Sequence, residues 1–444
     1  MSATSANMRL AIIASATGTL LEWYDLFLAV ILAKTLSSQL FPSGESTYFL
    51  ETLAIVGSSF FIRPLGSLFF GSMGDRKGRK QTFLLSLLVM GGATFLIGLI
   101  PTYQQAGWLA PLSLLVLRLA QGFALSGEYS GAIIYVSENA PADKRGFYTG
   151  FIQATVPVGL LLCLLVVIGT QSLMSPESFN AWGWRLPFLS SAVLVFFSYI
   201  VRRRMEETPV FSQLKDSGNV SKSPIRESLN SFPKWRLILM LIFGGNAAQS
   251  SIMQTSQFVT LYFLQRAVKI EEQLSFIILA TALLLGTPFF QWAGALSDRI
   301  GRKKVIYAGI LLGMISIPLS FYLFNTLGNP GHLTEPHSIS IGLTLLFILL
   351  CFVNMLSSAL VYGPMGVFMT EFFEGRTRYT SMGFAHNIGN GVIGGATPLV
   401  TEFLKANLVV GALLAPYIGL LYPLGLVVLA LIINPFLKET VGKN

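Results

Sequence analysis

The chain has 444 residues, of which 53% are hydrophobic and 11% charged, with a formal net charge of +9. Soluble domains carry about 25% charged residues, so this composition excludes a string of soluble domains, and the apolar content excludes intrinsic disorder. Two cysteines, Cys163 and Cys351, each inside an apolar run, exclude a disulfide scaffold and leave the redox compartment open.

In chain order, apolar runs bounded by breakers predict helices over residues 11–34, 50–73, 82–100, 108–137, 148–170 and 186–201. A second set follows over 237–264, 274–296, 304–325, 339–369, 380–403 and 408–436. A bilayer core takes about 20 residues of helix, and backbone groups in hydrocarbon must be satisfied inside the segment. These runs are too long and too continuously apolar for the alternating strands of a barrel, so the expected fold is all-α integral membrane with twelve transmembrane helices. Arg9 and the triplet Ala14-Ser15-Ala16 imitate a signal peptide, but the apolar run continues beyond them and contains acids.

All but seven of the 30 Lys and Arg residues lie at the termini or in the loops that follow the even-numbered spans. The exceptions are Lys34, Arg185, Arg266, Lys269 and Lys405 in the opposite loops, and Arg63 and Arg118 inside spans. Because cytoplasmic loops collect basic residues, both termini and the long middle loop are expected in the cytoplasm of a plasma membrane. That loop, residues 202–236, carries eight basic and four acidic side chains among Ser, Pro and Gly. It separates a first half, 1–201, from a second, 237–444.

The halves repeat. Gly71–Lys80 reads GSMGDRKGRK and Gly294–Lys303 reads GALSDRIGRK, 223 residues apart, with Asp, Arg, Gly, Arg and Lys at identical spacing. Glu138 and Arg145 are echoed by Glu371 and Arg378, displaced by 233. Such a repeat implies two pseudo-symmetric six-helix bundles related about the membrane normal.

With these motifs the chain resembles the major facilitator superfamily, and within it the bacterial metabolite:proton symporters. The narrower resemblance rests on Glu22-Trp23-Tyr24-Asp25 after Gly18, Phe61-Ile62-Arg63-Pro64-Leu65-Gly66, and Arg118-Leu119-Ala120-Gln121-Gly122 with Gly127-Glu128. It continues in Trp184-Arg185, Pro187-Phe188 and Glu207-Thr208-Pro209-Val210-Phe211. That family contains carriers for α-ketoglutarate, citrate, shikimate and proline or betaine. The resemblance therefore implies the major facilitator fold in a bacterial inner membrane, and proton-coupled uptake of a small organic acid or zwitterion.

The residues also speak without the family. An Asp or Arg at a helix centre costs about 2.5–3.5 kcal/mol on insertion, so ionisable groups in spans need partners, water or a function. Five lie in the first half: Glu22, Asp25, Arg63, Arg118 and Glu128. Counting about 1.5 Å per residue from the span ends puts Asp25 level with Arg118, and Glu22 level with Arg63 one turn deeper. Asp25, Glu22 and Glu128 are the expected proton-coupling carboxylates, with Arg118 compensating Asp25 until a substrate carboxylate takes its place. A fixed ion pair holding two helices together is the alternative reading of Asp25 with Arg118, and Arg63 beside Pro64 also reads as structural. Arg118, Arg63, Tyr24 and Gln121 are the expected substrate contacts of the first half. Asn246, Ser250, Gln254 and Gln257 fall on one face of the seventh span and face a cavity or a neighbouring helix. Asn354, Tyr362 and Asn387 complete the substrate set, while Ser357, His386 and Asn390 are weaker candidates, and His332 and His337 in an outer loop suggest nothing.

The repeated loops have a separate task. Asp75, Arg76 and Arg79, with Asp298, Arg299 and Arg302, sit at helix ends where Gly78 and Gly301 allow a tight reversal. Glu138 with Arg145 and Glu371 with Arg378 are their expected partners, and by resemblance these networks latch the cytoplasmic side. Positive-inside topology alone explains the bases but not the two repeated acids.

There is no nucleotide-binding Gly-Lys loop, no HExxH or clustered Cys and His for a metal, and no nucleophile set. Neither an enzyme nor a cofactor is expected, and the distributed bases support no nucleic-acid domain. The expectation is a monomeric secondary carrier in the lipid bilayer, driven by the proton gradient and binding a small-molecule metabolite, preferentially an organic acid. Proline or betaine uptake, a channel, and a non-transporting nutrient sensor on the same fold are the alternatives. The short tail after the last span counts against the osmosensing branch of the family.

Overall fold

The computed structural model describes the backbone of residues 3–42, 47–408, 411 and 414–441, and the side chains in those ranges except at 3–11, 47–51, 53 and 56. Helices occupy all twelve expected spans. In the first half, α1 is Ala3–Ile31, α2 is Thr47–Phe61 continued by Arg63–Lys77, and α3 is Arg79–Ile97. Then come α4, Leu109–Asn139, α5, Arg145–Ser172, and α6, Leu186–Arg203. In the second half, α7 is Phe232–Arg266, α8 is Glu272–Ile300, α9 is Arg302–Gly328 and α10 is Ile341–Glu371. The last two are α11, Arg378–His386 continued through Asn387–Gly394 and Thr397–Asn407, and α12, Ala415–Phe436. The span expected from 408 begins later, and its positions 409, 410, 412 and 413 lie outside the described residues.

Among the described residues, nine helices are long and apolar enough to cross a bilayer, or ten when Ile12–Ile31 and Ala33–Leu40, bent by 60°, form one span. The other two, α2 and α11, are interrupted. In α2 the break falls at Ile62, just before Pro64, whose missing N–H and ring prevent a regular turn. In α11 a glycine-rich stretch, Asn387–Gly394, widens into π-helix. Two further π turns, Ile242–Asn246 and Thr255–Val259, interrupt α7. Leu65, Leu165, Phe196 and Ile315 stand exposed on the span surfaces, as side chains facing hydrocarbon do.

Close helix approach depends on small residues, since lipid tails remove the hydrophobic drive that pairs helices in water. At Gly122 of α4 an added Cβ would lie 2.0 Å from the carbonyl oxygen of Ser59 in α2. Gly92 in α3 has nothing within 4 Å of its added Cβ. Gly122→Ala is therefore expected to cost about 1–3 kcal/mol by forcing α2 from α4. Gly92→Ala should be neutral or slightly stabilising through helix propensity. Melting temperatures of the detergent-solubilised variants check both, and equal shifts would contradict this packing.

The chain forms two compact units. The first comprises Met1–Ala140, Thr155–Asn230 and Phe373–Asn387; the second comprises Pro141–Ala154, Ser231–Phe372 and Ile388–Asn444. The opening turns of α11 thus belong to the first unit and those of α5 to the second. The middle loop holds two short helices, Pro209–Asp216 and Pro224–Leu229. Arg202, counted above with that loop's charges, is instead a fully buried residue of α6.

Candidate functional site

In the first unit, α1, α3 and α4 bring the expected carboxylates and Arg118 into one buried polar system. Arg118 donates from Nη1 to Gln121 Oε1 at 2.7 Å and from Nη2 to Ser59 Oγ at 3.2 Å. Gln121 Nε2 donates to Thr94 Oγ1 at 2.6 Å, and Thr94 donates to Asp25 Oδ2 at 2.9 Å. Arg118 and Asp25 are thus joined through two neutral side chains, where the sequence suggested a direct pair. Every link points its donor toward the acid, so the chain is polarised from guanidinium to carboxylate and each bond strengthens the next.

One turn before Asp25, Glu22 is buried, and neither carboxylate oxygen has a hydrogen-bond partner among the described residues. Glu22 and Asp25 line a small gap with Glu128, Gly18, Leu87, Met90 and Val195. Glu128 accepts from Ser86 Oγ at 2.7 Å through Oε2 and forms an ion pair through Oε1 with Arg202 Nη2. Arg202 also donates from Nε to Ala14 O at 3.2 Å and from Nη1 to Phe83 O at 3.1 Å, and its guanidinium lies over the Phe83 ring at 3.6 Å. The guanidinium of Arg63 lies 4.4 Å over the Phe60 ring. Tyr24 spends its hydroxyl on Pro187 O at 2.8 Å and Ser190 Oγ at 3.1 Å. It ties α1 to α6.

In the second unit, Asn246, Ser250 and Gln254 lie along one regular stretch of α7, whereas the π turn Thr255–Val259 shifts the phase of Gln257 relative to them. Asn246 Nδ2 donates to Met369 Sδ of α10, and Ser250 Oγ donates to Asn390 O of α11 at 2.9 Å. Gln254 is half-buried, and the Nε2 of the buried Gln257 has no partner among the described residues. Asn354 is buried with both amide atoms unpartnered, whereas Tyr362 Oη accepts from Asn390 Nδ2 at 3.3 Å. Gln249, absent from the expected set, is also buried with both amide atoms unpartnered. Two buried amide side chains with both atoms unpartnered among the described residues, and a third with one, are unusual in a folded interior. Asn387 belongs to the first unit, where its Nδ2 donates to Ser126 O at 3.1 Å and Gly383 O at 2.8 Å. His386 beside it stacks on Tyr129 with ring centres 4.4 Å apart.

The repeated loops build two matching networks. In the first unit, Asp75 accepts from Tyr379 N at 3.2 Å, Thr380 N at 2.9 Å and Thr380 Oγ1 at 2.8 Å, which caps the opening turn of α11. Arg79 lies 3.5 Å from Asp75 and 3.4 Å from Glu138. In the second unit, Asp298 accepts from Gly146 N at 2.9 Å and Phe147 N at 2.7 Å, capping α5 in the same way. Arg302 pairs with Asp298 and, at 3.3 Å, with Glu371. Gly78 and Gly301, with φ of 113° and 110°, make the reversals that bring these side chains round.

Two expectations about these networks are corrected. Glu138 pairs with Arg79, as expected, and also, at 2.9 Å, with Arg378, which the sequence repeat groups with Glu371. The reason is that Arg145 and Arg378 each open a helix assigned to the other unit from the acid seven residues before. Arg76 and Arg299 are exposed, one position beyond the aspartates, and join neither network.

Sequence reasoning missed a symmetric pair of caps. Glu207 accepts from Arg79 N at 3.0 Å and Lys80 N at 3.2 Å, opening α3, and Glu439 accepts from Arg302 N at 3.0 Å and Lys303 N at 3.2 Å, opening α9. The next residues, Thr208 and Thr440, donate their hydroxyls to Glu138 and Glu371. The signal was present as a Glu-Thr dipeptide repeated 232 residues apart.

The arrangement is that of a membrane protein with buried charge in one unit, unpartnered amides in the other and matched networks at the repeated loops. The family model for the Major Facilitator Superfamily matches residues 15–398. The chain is 33% identical to the shikimate transporter of Escherichia coli over 406 residues, 89% of this chain and 87% of that protein. It is 33% identical to the proline/betaine transporter of Salmonella typhimurium over 412 residues, 90% of this chain and 78% of that protein. Among solved structures, the proton:xylose symporter XylE covers 99% of this chain and 98% of its own, with a TM-score of 0.71 and 17% identity, a likeness of fold. The chain belongs to the major facilitator superfamily, a family of membrane transporters and not of enzymes.

Proposed function

We propose that this chain is a proton-coupled symporter that takes up a small organic acid by alternating access. The observation that carries the reading is the polarised chain Arg118–Gln121–Thr94–Asp25. A substrate carboxylate that takes Arg118, the strongest anion-binding group in the chain, withdraws positive charge from Asp25 and favours protonation among the buried carboxylates that surround it. Proton and substrate then bind together. In the second unit, the amides of Gln249 and Asn354 and the Nε2 of Gln257, unpartnered among the described residues, are free to hydrogen-bond carbonyl and hydroxyl oxygens of a ligand. Two six-helix bundles, 1–201 and 237–444, linked by 202–236, would rock about it, with the Asp75–Arg79–Glu138–Arg378 contacts as part of the cytoplasmic latch. Both termini lie in the cytoplasm, the membrane is the bacterial inner membrane, the carrier is a monomer, and the proton gradient is its energy source.

The relative named for shikimate supports an acid. The relative named for proline and betaine supports a zwitterion, whose carboxylate would also engage Arg118. Proteoliposomes decide, with labelled shikimate, α-ketoglutarate, citrate, proline and glycine betaine offered under an inward proton gradient. An acid is expected to accumulate by about tenfold per pH unit for one coupled proton, and an uncoupler to abolish the accumulation. Accumulation of proline or betaine alone would replace the acid reading. Equilibration without accumulation would indicate a channel, and binding without entry a sensor.

A further inference from the structure

The expected set of functional charges in the first unit omits Arg202, a cation as fully buried as Arg118. Arg202 enters from the end of α6 and crosses α1 at Gly18, where an added Cβ would lie 1.5 Å from Arg202 Nη2. A side chain at position 18 would close that passage. Beyond it the guanidinium meets Glu128 of α4, whose other oxygen is held by Ser86, while two carbonyl oxygens and the Phe83 ring fix the remaining nitrogens. Glu128 and Arg202 therefore hold each other in one geometry.

Glu22 is one turn along α1 from Gly18 and shares the gap with Glu128, yet both of its oxygens lack hydrogen bonds among the described residues. The charged groups that act on it are Asp25 from its own helix, Arg63 from α2, Glu128 from α4 and Arg202 from α6. From α3 the gap receives Leu87, Met90 and Gly91, none of which can carry charge. Tyr379 of α11 approaches on the Glu128 side, where its hydroxyl donates to Gly127 O at 2.6 Å. Three carboxylates, Glu22, Asp25 and Glu128, crowd a buried gap in which Arg202 is committed to Glu128, and such neighbours cannot all be ionised cheaply. Of these acids, Glu22 is the one with neither a hydrogen bond nor an ion pair among the described residues.

We propose that Arg202 is a positioning residue for proton binding: by committing itself to Glu128 it leaves Glu22, across the same gap, as the acid that takes up and releases the transported proton. Asp25 stands between this site and the Arg118 chain and passes the state of the substrate end to it. The assignment rests on the symporter reading above and goes beyond it in naming the exchanging acid and the residue that sets its proton affinity.

Infrared difference spectra of the full chain in lipid, titrated with pH in the absence of substrate, test it through the carbonyl stretch of protonated carboxyl groups. The wild-type protein is expected to show a titrating carboxyl band that disappears in Glu22→Gln. Arg202→Met should move the band to higher pH by about 1–3 units, because Glu22 and Glu128 then face each other without their cation. Glu128→Gln should move it to lower pH by a similar amount, because Arg202 then has only Glu22 to neutralise. Arg202→Lys should leave it near the wild-type position. A purely structural arginine would move none of these in a folded variant. If Arg202→Met does not fold, the opposed behaviour of Glu128→Gln and Arg202→Lys carries the test. A band that survives Glu22→Gln, or keeps its position in Glu128→Gln, overturns the assignment. Failure of every probe to accumulate in proteoliposomes would overturn the symporter reading and leave this titration standing.

Discussion

Asp25→Asn is expected to abolish gradient-driven accumulation while leaving exchange of substrate across the membrane. One pH unit is worth about 1.4 kcal/mol, so a carrier that moves one proton with each substrate accumulates about tenfold under that gradient. The amide variant keeps the size of the side chain and its hydrogen bond to Thr94, 2.9 Å from Oδ2, but loses the charge through which the Arg118 chain acts on the neighbouring acids. The accumulation ratio should therefore fall from about ten to one, with counterflow at symmetric pH still measurable. Labelled shikimate or α-ketoglutarate serves as probe, whichever accumulates in the wild-type assay. Thr94→Val supplies the companion result, since it keeps shape and removes the hydroxyl that joins Asp25 to the Gln121 amide. It should lower accumulation without altering the maximal rate of exchange to the same degree. Undiminished accumulation in Asp25→Asn would remove Asp25 from the coupling path.

The first of these variants was legible in the sequence and the second was not. A charge in an apolar run announces itself by its insertion cost, so Glu22, Asp25, Arg118 and Glu128 stand out, and counting rises along helices places Asp25 level with Arg118. Thr94, Ser86 and Gln249 carry no such cost and are indistinguishable in sequence from the many hydroxyls and amides that merely pack. Arg202 was hidden for the opposite reason. It opens the run Arg202-Arg203-Arg204, which the positive-inside rule explains in full, and only the rotation of α6 separates the buried guanidinium from its neighbours. In the α7 stripe only Gln257 is misplaced in phase, because a reading at 3.6 residues per turn does not foresee the π turn Thr255–Val259. The repeat, by contrast, located Asp75, Arg79 and Glu138 with their counterparts Asp298, Arg302 and Glu371. It left open which acid each arginine meets, a matter of which helix the chain enters after the loop.

That pairing makes Glu138→Ala the substitution with the largest expected effect on stability. Glu138 is met by Arg378 at 2.9 Å, Thr208 at 2.7 Å and Arg79 at 3.4 Å, and Arg79 has only 1% of its side chain exposed. Removing one partner of a buried ion pair costs about 3–5 kcal/mol, because the remaining charge stays desolvated. The repeat supplies its own control. In Glu371→Ala, Arg302 keeps its direct pair with Asp298 and its 2.8 Å bond to Ser297, whereas Arg79 in Glu138→Ala keeps an acid only at 3.5 Å. The melting temperature should therefore fall further for Glu138→Ala than for Glu371→Ala. The same substitution tests the latch. Ser381 is buried in α11, three residues past Arg378, and its hydroxyl lies 2.9 Å from that of Ser228. The native thiols of Cys163 and Cys351 are fully buried, so a thiol at position 381 can be followed alone. If the Glu138 contacts hold that segment closed, each 1.4 kcal/mol lost raises its open fraction tenfold, and maleimide labelling of Ser381→Cys should accelerate by more than about tenfold in the Glu138→Ala background. An unchanged labelling rate with a lowered melting temperature would make Glu138 a structural residue and leave the latch without its central acid.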